Sequence, residues 1–239
     1  MKKVIYTSLV GDYDDFTDPH FVNDKWDYIC FSNHLDEKKF NIWKIKRIPL
    51  NTKNKTVLSR YVKINPHVVL SDYDYSIYID SNIDITSNFL YDRADELIKS
   101  NEIISLSMHP LRDCIYDEAK VCIQEGRDKK KNIMKTVNYL KKKDYPAHQG
   151  LFENGVIFRN HNHPKITSLS EQWWDLYLKL SKRDQLTFAF LLWSNKIPYT
   201  YLLPKNKSFR SHPGFSFKPH KKNILKSLKL RMKILLNKF

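Results

Sequence analysis

The sequence predicts an α/β domain with a mostly parallel central sheet and helices on both faces. Short runs rich in β-branched and aromatic residues alternate with longer amphipathic stretches, which is the pattern of strands joined by helical crossovers. The 239 residues contain no internal repeat and no low-complexity linker, and 41% are hydrophobic, which excludes a disordered chain. We therefore expect a single domain over residues 1–217, followed by a helix over 218–239.

The predicted elements follow one another along the whole domain. Strands are predicted at about 3–10, 27–32, 42–47, 75–80, 103–107 and 155–159, and helices at about 53–65, 87–99, 114–125, 129–142, 165–180 and 183–194. The opening apolar run is short, is interrupted by Tyr6, Thr7 and Ser8, and is followed by Asp12. These features are more typical of a first strand than of a signal peptide, so we expect a first strand here.

The last segment predicts a basic amphipathic helix. Apolar side chains from Ile224 to Phe239 recur at helical spacing on one face, and lysines gather on the other. Such a helix lies in a membrane interface or packs on its own domain with a solvated lysine face. No apolar run reaches the ~20 residues of a membrane span, and the three cysteines form no CxxC pair. We expect a cytoplasmic protein that contacts an anionic membrane at the inner face of the plasma membrane through residues 221–239.

The charge balance favours anionic partners. Lysine and arginine number 41 against 26 acidic residues, which gives a net charge of +15. Nucleic acid, anionic lipid and phosphorylated ligands would all be attracted by a protein of this positive charge. No RNP, KH, zinc-finger or helix-turn-helix signature is present, so no nucleic acid is expected as a partner. A non-catalytic binder of nucleic acid remains an alternative that a steep salt dependence would reveal.

A polar cluster follows the strand predicted at about 75–80. In "YSIYIDSNIDIT" the apolar run stops at Asp80, and Asn82 follows two residues later. Ligands bind at the carboxyl ends of strands in open parallel sheets, and two oxygen ligands at this spacing suit Mg²⁺ or Mn²⁺. The alternative is turn chemistry, in which both side chains bond to their own backbone. Asp84 is a second candidate for the role of Asn82.

Basic and imidazole groups complete the candidate site. In "RYVKINPH" Arg60 and Lys63 share one face of a predicted helix, where they suit a diphosphate or an ordinary solvated surface. His212 lies in a loop rich in proline and glycine, where it is a surface residue or a third metal ligand.

Six motifs in order carry a resemblance to a known family. The segments "YTSLVGDYD", "RYVKINPH", "YSIYIDSNI", "HPLRDCIYDEA", "ENGVIFRNH" and "RDQLTFAF" resemble the glycosyltransferase-like family formerly catalogued as domain of unknown function 616, over about residues 1–215. The resemblance implies a GT-A fold, which is a Rossmann-like domain that binds a nucleotide-diphosphate sugar through a DxD-type motif and a divalent metal. "NGVIFRN", "RDQ" and "HPGFSFKP" are also similar to elements of glycogenin-like retaining transferases, which implies metal binding by His212 and diphosphate contact by Lys218.

The resemblance also implies roles for the remaining polar residues. Tyr6, Thr7, Ser8, Asp12 and Tyr13 would line the base and ribose pocket, while Ser81, His109 and Asn154 would contact the nucleotide sugar. Asp184, Gln185 and Glu153 are the catalytic candidates. Asp184 would position the acceptor or act as a general base, or it would interact with a helix dipole instead.

The expected function is therefore metal-assisted transfer of a sugar to a glycan or lipid-linked glycan in surface polysaccharide synthesis. A metal-dependent phosphohydrolase is an alternative, but its reaction requires a second aspartate two residues after the first, and this sequence has Asn82 at that position. The nature of the sugar, the acceptor, the stereochemical outcome and the oligomeric state stay open at this stage.

Overall fold

The computed structural model describes residues 1–11, 16–35, 39–205 and 207–218. Its strands are β1 (Lys3–Leu9), β2 (Asp27–Ser32), β3 (Lys39–Phe40), β4 (Trp43–Arg47), β5 (Tyr75–Ile79), β6 (Ile83–Ile85), β7 (Ile104–Met108), β8 (Phe152–Arg159), β9 (Thr200–Tyr201) and β10 (Phe215–Phe217). Its helices are α1 (Lys55–Ile64), α2 (Pro66–Val69), α3 (Phe89–Lys99), α4 (Ile115–Gln124), α5 (Lys130–Lys141), α6 (Pro164–Lys179) and α7 (Gln185–Ser194). The helix predicted over 218–239 lies, apart from Lys218, outside the described residues.

The central sheet has eight strands in the order β3-β4-β2-β1-β5-β8-β7-β9. The pairs β1–β2, β1–β5, β2–β4 and β7–β9 are parallel, whereas β8 runs antiparallel to both of its neighbours. Two helices, α4 and α5, lie between β7 and β8. Together they return the chain to the sheet edge at which β7 ends, and β8 starts there in the opposite direction. The predicted α/β fold, with a mostly parallel central sheet, is confirmed.

Two apolar layers cover the two faces of the sheet. Side chains alternate along β1, so that Val4 and Tyr6 pack in the layer that contains α1 and α4 to α7, while Ile5 packs in the layer that contains α3. Helices therefore lie on both faces, as predicted. All six predicted strands and all six predicted helices are present within a few residues of their predicted bounds.

A small second sheet forms beside the end of β5. Strand β10 pairs antiparallel with β6, so that Ser216 lies opposite Asp84. Three residues per strand are too few to show a hydrophobic period, which is why neither strand was predicted. The pairing brings Lys218 against Asn82, which lies 136 positions earlier in the chain and two residues after Asp80.

A buried histidine makes the stability of the fold depend on pH. His161 is fully buried, and its Nε2 donates to the carbonyl of Leu70 at 2.8 Å. Burial, helped by the nearby Arg159 and His67, lowers the pKa of His161 to about 4, against the opposing effect of the hydrogen bond to Leu70. On acidification, His161 of the unfolded chain becomes protonated at a higher pH than His161 of the folded protein. The contribution of neutral His161 to the free energy of unfolding is therefore fully present above about pH 6.5 and is lost as the pH falls toward 4.

We expect the free energy of unfolding to fall by about 2 kcal/mol between about pH 7 and about pH 5 through His161 alone. Urea unfolding of the wild type and of His161→Gln at the two pH values measures this contribution. The glutamine variant should show a correspondingly smaller dependence on pH. Equal dependence in both proteins would contradict the assignment.

Candidate active site

A cleft lies at the carboxyl ends of β1 and β5, the edge at which open parallel sheets bind ligands. It is open to solvent, and the space of about 330 Å³ between its walls includes part of that solvent. Thr7 and Asp80 line it from the strand ends, Trp43 forms an apolar wall, and Asp18 and Lys218 lie on its other sides. The cleft therefore brings acidic, basic and aromatic groups together at the place where the sequence predicts a site.

Asp80 is the first residue after β5 and faces this cleft. Its backbone N–H donates to the carbonyl of Gly155 at 2.8 Å, and the Tyr78 hydroxyl donates to its Oδ1 at 2.9 Å. The Asp80 side chain remains 35% exposed. The lack of a side chain at Gly155 leaves room for Phe209, because a Cβ there would lie 2.7 Å from Cζ of that ring. One carboxylate oxygen is thus held in place while the group stays accessible from the cleft.

Lys218 lies directly against the polar segment after β5. The Lys218 N–H donates to the carbonyl of Asn82 at 2.9 Å, and the Asn82 amide donates back to the Lys218 carbonyl at 3.4 Å. The Lys218 ammonium donates to the hydroxyl of Thr17 on the cleft wall. A positive charge therefore faces the cleft beside the predicted metal-binding pair.

A buried ion cluster lies beneath Asp80. Lys63 is 2% exposed, and its Nζ lies 2.9 Å from Oδ2 of Asp184 and 3.8 Å from Oδ1 of Asp80. Arg60 donates through Nε to Oδ1 of Asp184 at 3.3 Å. Helix α1 presents Arg60 and Lys63 on one face, as their spacing predicted. Because both cations point at Asp184, they neutralise a buried carboxylate instead of lining the cleft.

Asp184 lies at the start of α7, the position that the helix-dipole alternative requires. It is the N-cap of α7 but makes no side-chain bond to that helix. Burial would raise the pKa of Asp184, but Lys63, Arg60 and Arg183 outweigh burial and hold the pKa well below its usual range. A carboxylate stabilised so strongly in its charged form is a poor proton acceptor. The ion pairs with Lys63 and Arg60 therefore favour a structural anchor at the start of α7 over a general base.

The other two catalytic candidates also have partners within the protein. Gln185 donates from its amide to the carbonyl of Phe152 at 2.9 Å and accepts from Arg183 at 2.8 Å. Glu153, on β8, accepts from the hydroxyl of Ser208 at 2.5 Å and from Nε of Arg210 at 2.8 Å. Burial raises the pKa of Glu153, against the opposing effect of Ser208 and Arg210.

Asn154 and His109 lie at the same edge of the sheet. The side-chain amide of Asn154 donates to Oδ2 of Asp184 at 3.5 Å, and the side-chain oxygen Oδ1 of Asn154 is buried without a hydrogen-bond partner. His109 accepts the backbone N–H of Arg112 at 3.2 Å, and its Nε2 lies 3.9 Å from Glu118. Burial lowers the pKa of His109, so the imidazole is neutral near pH 7.

Three residues of β1 were predicted to line the base and ribose pocket, and the structure places them in different environments. Tyr6 is fully buried, and its hydroxyl accepts from Arg159 at 2.5 Å, so the predicted contact of Tyr6 with a nucleotide is corrected to a core role. Ser8 is buried and bonds to Ser59 at 3.0 Å. Thr7 lines the cleft, and its hydroxyl is buried without a hydrogen-bond partner. Asp12 and Tyr13 lie outside the described residues.

His212 and Asp84 have contacts that do not involve Asp80. The His212 ring packs on Phe89 with centroids 4.1 Å apart, and its Nδ1 accepts the N–H of Gly214 at 3.0 Å. Asp84 accepts the backbone N–H of His20 at 2.9 Å and also contacts the ring of His20. In the described part of the chain, Asp80, Asp84 and His212 do not bring their ligand atoms within 4.8 Å of one another.

The donors at the cleft nevertheless fit a hard divalent cation. Asp80 offers an accessible carboxylate, Asn82 follows two residues later, and the Thr7 hydroxyl at the cleft lacks a hydrogen-bond partner. Oxygen ligands of this kind suit Mg²⁺ or Mn²⁺, which keep several sites for water and phosphate oxygens. The placement of His212 favours a site in which Asp80 and Asn82 act without it.

Several contributors to the site were not predicted from the sequence. Tyr78 orients Asp80, Trp43 and Thr17 wall the cleft, and the indole of Trp173 donates to the backbone carbonyl of Asp184 at 3.1 Å. The alternation of "YSIYID" places Tyr78 two residues before Asp80 on the same face. That spacing was the available signal, whereas the Trp173 contact joins helices whose packing the sequence does not reveal.

Comparison with known proteins identifies the domain. A family model described as "TOD1/MUCI70, glycosyltransferase-like domain" matches residues 32–210, which is more than half of the chain. This match confirms the predicted resemblance to a glycosyltransferase-like family and the predicted enzyme class. A search of curated proteins returned no match.

Within the described ranges, no helix combines the length and the apolar character needed to cross a membrane.

Several solved glycosyltransferase structures are similar at low sequence identity. Apo mouse xyloside xylosyltransferase 1 is 9% identical with a TM-score of 0.49, covering 93% of this chain and 98% of that chain. The galactosyltransferase LgtC, in complex with donor and acceptor sugar analogues, is 12% identical with a TM-score of 0.42, covering 83% and 72%. GlyE of Streptococcus pneumoniae TIGR4 is 13% identical with a TM-score of 0.42, covering 84% and 45%. Family membership follows from the domain match over residues 32–210.

Proposed function

The chain belongs to the TOD1/MUCI70 family of glycosyltransferase-like domains, and on that premise we propose that it moves a sugar from a nucleotide-diphosphate donor to a glycan or lipid-linked acceptor. The observation that carries the proposal is the pairing of opposite charges at the cleft. Asp80 offers a carboxylate for a divalent ion, and Lys218 offers an ammonium for the diphosphate, on a frame held by the Lys218–Asn82 backbone bond.

In this proposal Asp80 and Asn82 hold Mn²⁺ or Mg²⁺. The bound ion would supply positive charge that stabilises the diphosphate as it leaves the anomeric carbon. Lys218 adds a second positive charge at the same group. Thr7 and Ser81, both at the cleft, donate hydroxyl hydrogen bonds to the donor, and Trp43 provides an apolar surface.

The buried cluster supports this chemistry from below. Nζ of Lys63 lies 3.8 Å from Oδ1 of Asp80 and attracts this carboxylate, which helps to hold it in place. Asp184 in turn compensates Lys63 and Arg60, which would otherwise be buried without a counter-charge. We therefore assign Arg60, Lys63 and Asp184 to the positioning of Asp80 instead of to direct contact with the sugar.

Release of a nucleoside diphosphate tests the reaction class. Purified protein is incubated with a panel of UDP- and GDP-sugars and Mn²⁺, with a glycan or lipid-linked acceptor extract. We expect one donor to release its nucleoside diphosphate in proportion to acceptor, with the sugar recovered on the acceptor. Release of inorganic phosphate from simple phosphomonoesters instead would favour the phosphohydrolase alternative.

Replacement of Lys218 by alanine should weaken donor binding. Loss of a charge-assisted contact is worth about 1.5–3 kcal/mol, so we expect roughly a tenfold or greater rise in the dissociation constant for the donor. The melting temperature without ligand should change little, because the backbone bond to Asn82 survives. Lys205→Ala removes the same charge beside Tyr201 and serves as the control. Equal affinity in both variants would contradict the role of Lys218.

We also propose that residues 221–239 attach the enzyme to anionic membrane, where a lipid-linked acceptor lies. Deletion of this segment should leave donor binding intact while it removes sedimentation with vesicles that contain anionic lipid. Neutral vesicles are the control, because the lysines of this segment contribute only at a negative surface. Unchanged sedimentation after the deletion would contradict the membrane role.

A further inference from the structure

We propose that Cys114, Asp117 and His148 form a second metal site, of the zinc type, on the loop side of α4. One ligand atom from each residue lies within 4.8 Å of the other two, and no other described trio of histidine, cysteine or acidic residues converges in this way. Thiolate, imidazole and carboxylate together are typical ligands of Zn²⁺ and poor ligands of Mg²⁺. The site shares no residue with the cleft at Asp80.

Two chain segments are held together there without any ion. Cys114 is the N-cap of α4, and Asp117 follows three residues later in the first turn, on the same face of the helix. His148 belongs to the segment between α5 and β8 and has a left-handed backbone, with φ of 59°. The N–H of Gly150 donates to the carbonyl of Asp113 at 2.9 Å, which pins this segment to the start of α4.

A carboxylate next to the trio orients the imidazole. Oδ1 of Asp113 lies 2.8 Å from Nδ1 of His148. In protein zinc sites the second ring nitrogen commonly makes such a bond to a carboxylate, which fixes the tautomer and the ring plane. With Nδ1 engaged by Asp113, Nε2 of His148 is the nitrogen that binds the metal. Asp113 thus acts as a positioning residue for the site.

The trio is accessible to an ion from solvent. Cys114 is buried, whereas the side chains of Asp117 and His148 are 46% and 63% exposed. Lys120 contacts Oδ1 of Asp117 at 2.9 Å, but its side chain is 74% exposed, so a dication displaces it at little cost. Binding converts the Cys114 thiol to a thiolate, and its proton goes to solvent. Water fills the fourth position of a tetrahedral site.

A metal bound at this site would restrain the segment that precedes β8. Residues 142–150 run from α5 to Leu151, and β8 begins at Phe152 and carries Glu153 and Asn154. A metal that joins His148 to α4 would restrain the entry to this strand. We therefore expect the ion to stabilise the fold without taking part in sugar transfer.

Cobalt substitution of the full chain tests the proposal, because a thiolate ligand gives Co²⁺ a sulfur-to-metal charge-transfer band that oxygen ligands do not give. We expect the wild type to show this band at one equivalent of Co²⁺ and to lose it with one equivalent of Zn²⁺. Cys114→Ser should remove the band. Cys122→Ser is the matched control and should keep it, because Cys122 bonds to Glu118 and lies outside the trio.

A second pair of variants separates binding from folding. His148→Gln alters an exposed side chain, so we expect it to fold and to bind Co²⁺ at least tenfold more weakly. Asp80→Ala should leave the band unchanged, which distinguishes this site from the metal at the cleft. Absence of the band in the wild type would overturn the proposal. So would a band that survives unchanged in both Cys114→Ser and His148→Gln.

Discussion

Replacement of Asp184 by alanine is expected to lower the free energy of unfolding by about 3–5 kcal/mol, the cost of breaking a buried ion pair from one side. Asp184 is 4% exposed in its side chain and faces Lys63 at 2.9 Å and Arg60 at 3.3 Å. Without it, the ammonium of Lys63 keeps only the Asp80 carboxylate, 3.8 Å away. Denaturant unfolding at neutral pH measures the loss.

Asp175→Ala is the matched control for this variant. Asp175 pairs with Lys179 on the surface of α6, where both side chains are more than half exposed. An exposed pair contributes at most about 1 kcal/mol. A loss in Asp184→Ala as small as in this control would show that the buried cluster is not the anchor we describe.

The effect of Asp184 should also depend on pH. Its folded pKa lies below its unfolded value of about 3.9. The stabilisation is therefore fully present above that value and is lost as the pH falls toward the folded pKa. The difference between wild type and Asp184→Ala should narrow below about pH 4.

Asp80→Asn is expected to reduce sugar transfer by about a thousandfold, while the fold is retained. The amide keeps the size of the side chain and can still accept from Tyr78. It removes the negative charge that binds the metal, and a bound metal supplies several kcal/mol of transition-state stabilisation. Initial rates at saturating donor and Mn²⁺, with circular dichroism for folding, measure the two effects.

Asp84→Asn is the comparison that identifies the ligand. Both Asp80 and Asp84 line the cleft, but Asp84 bonds to His20 and, at 3.4 Å, to Ser216. If Asp80 holds the metal, Asp84→Asn should lose far less activity and should not change the Mn²⁺ concentration needed for half-maximal rate. A larger loss in Asp84→Asn than in Asp80→Asn would assign the metal to Asp84.

The sequence predicts the strand end of the site well and its buried cluster poorly. Alternation in residues 75–80 places Asp80 at the end of a strand, and spacing along α1 places Arg60 beside Lys63. Both are local patterns with a fixed period. The partner of those cations, Asp184, lies 124 residues from Arg60. No local period reports that contact, so the cations were assigned to a phosphate.

The misassignment of Tyr6 has a different cause. A strand contributes to a ligand site mainly at its carboxyl end, and Tyr6 is in the middle of β1, where it packs edge-on against Tyr78 with ring centroids 5.3 Å apart. Thr7, one residue on, lines the cleft. Lys218 was found through resemblance alone, because the two short strands that carry it to Asn82 leave no hydrophobic pattern.

The central claim is that the cleft binds a nucleotide-diphosphate sugar through a metal held at Asp80. The most direct test is the melting temperature of the wild type and of Asp80→Asn with each nucleotide sugar, with Mn²⁺ and with chelator. We expect at least one donor to raise the melting temperature of the wild type only when Mn²⁺ is present, and to leave that of Asp80→Asn unchanged. Equal stabilisation with chelator, or in both proteins, would contradict the claim, as would no stabilisation by any donor.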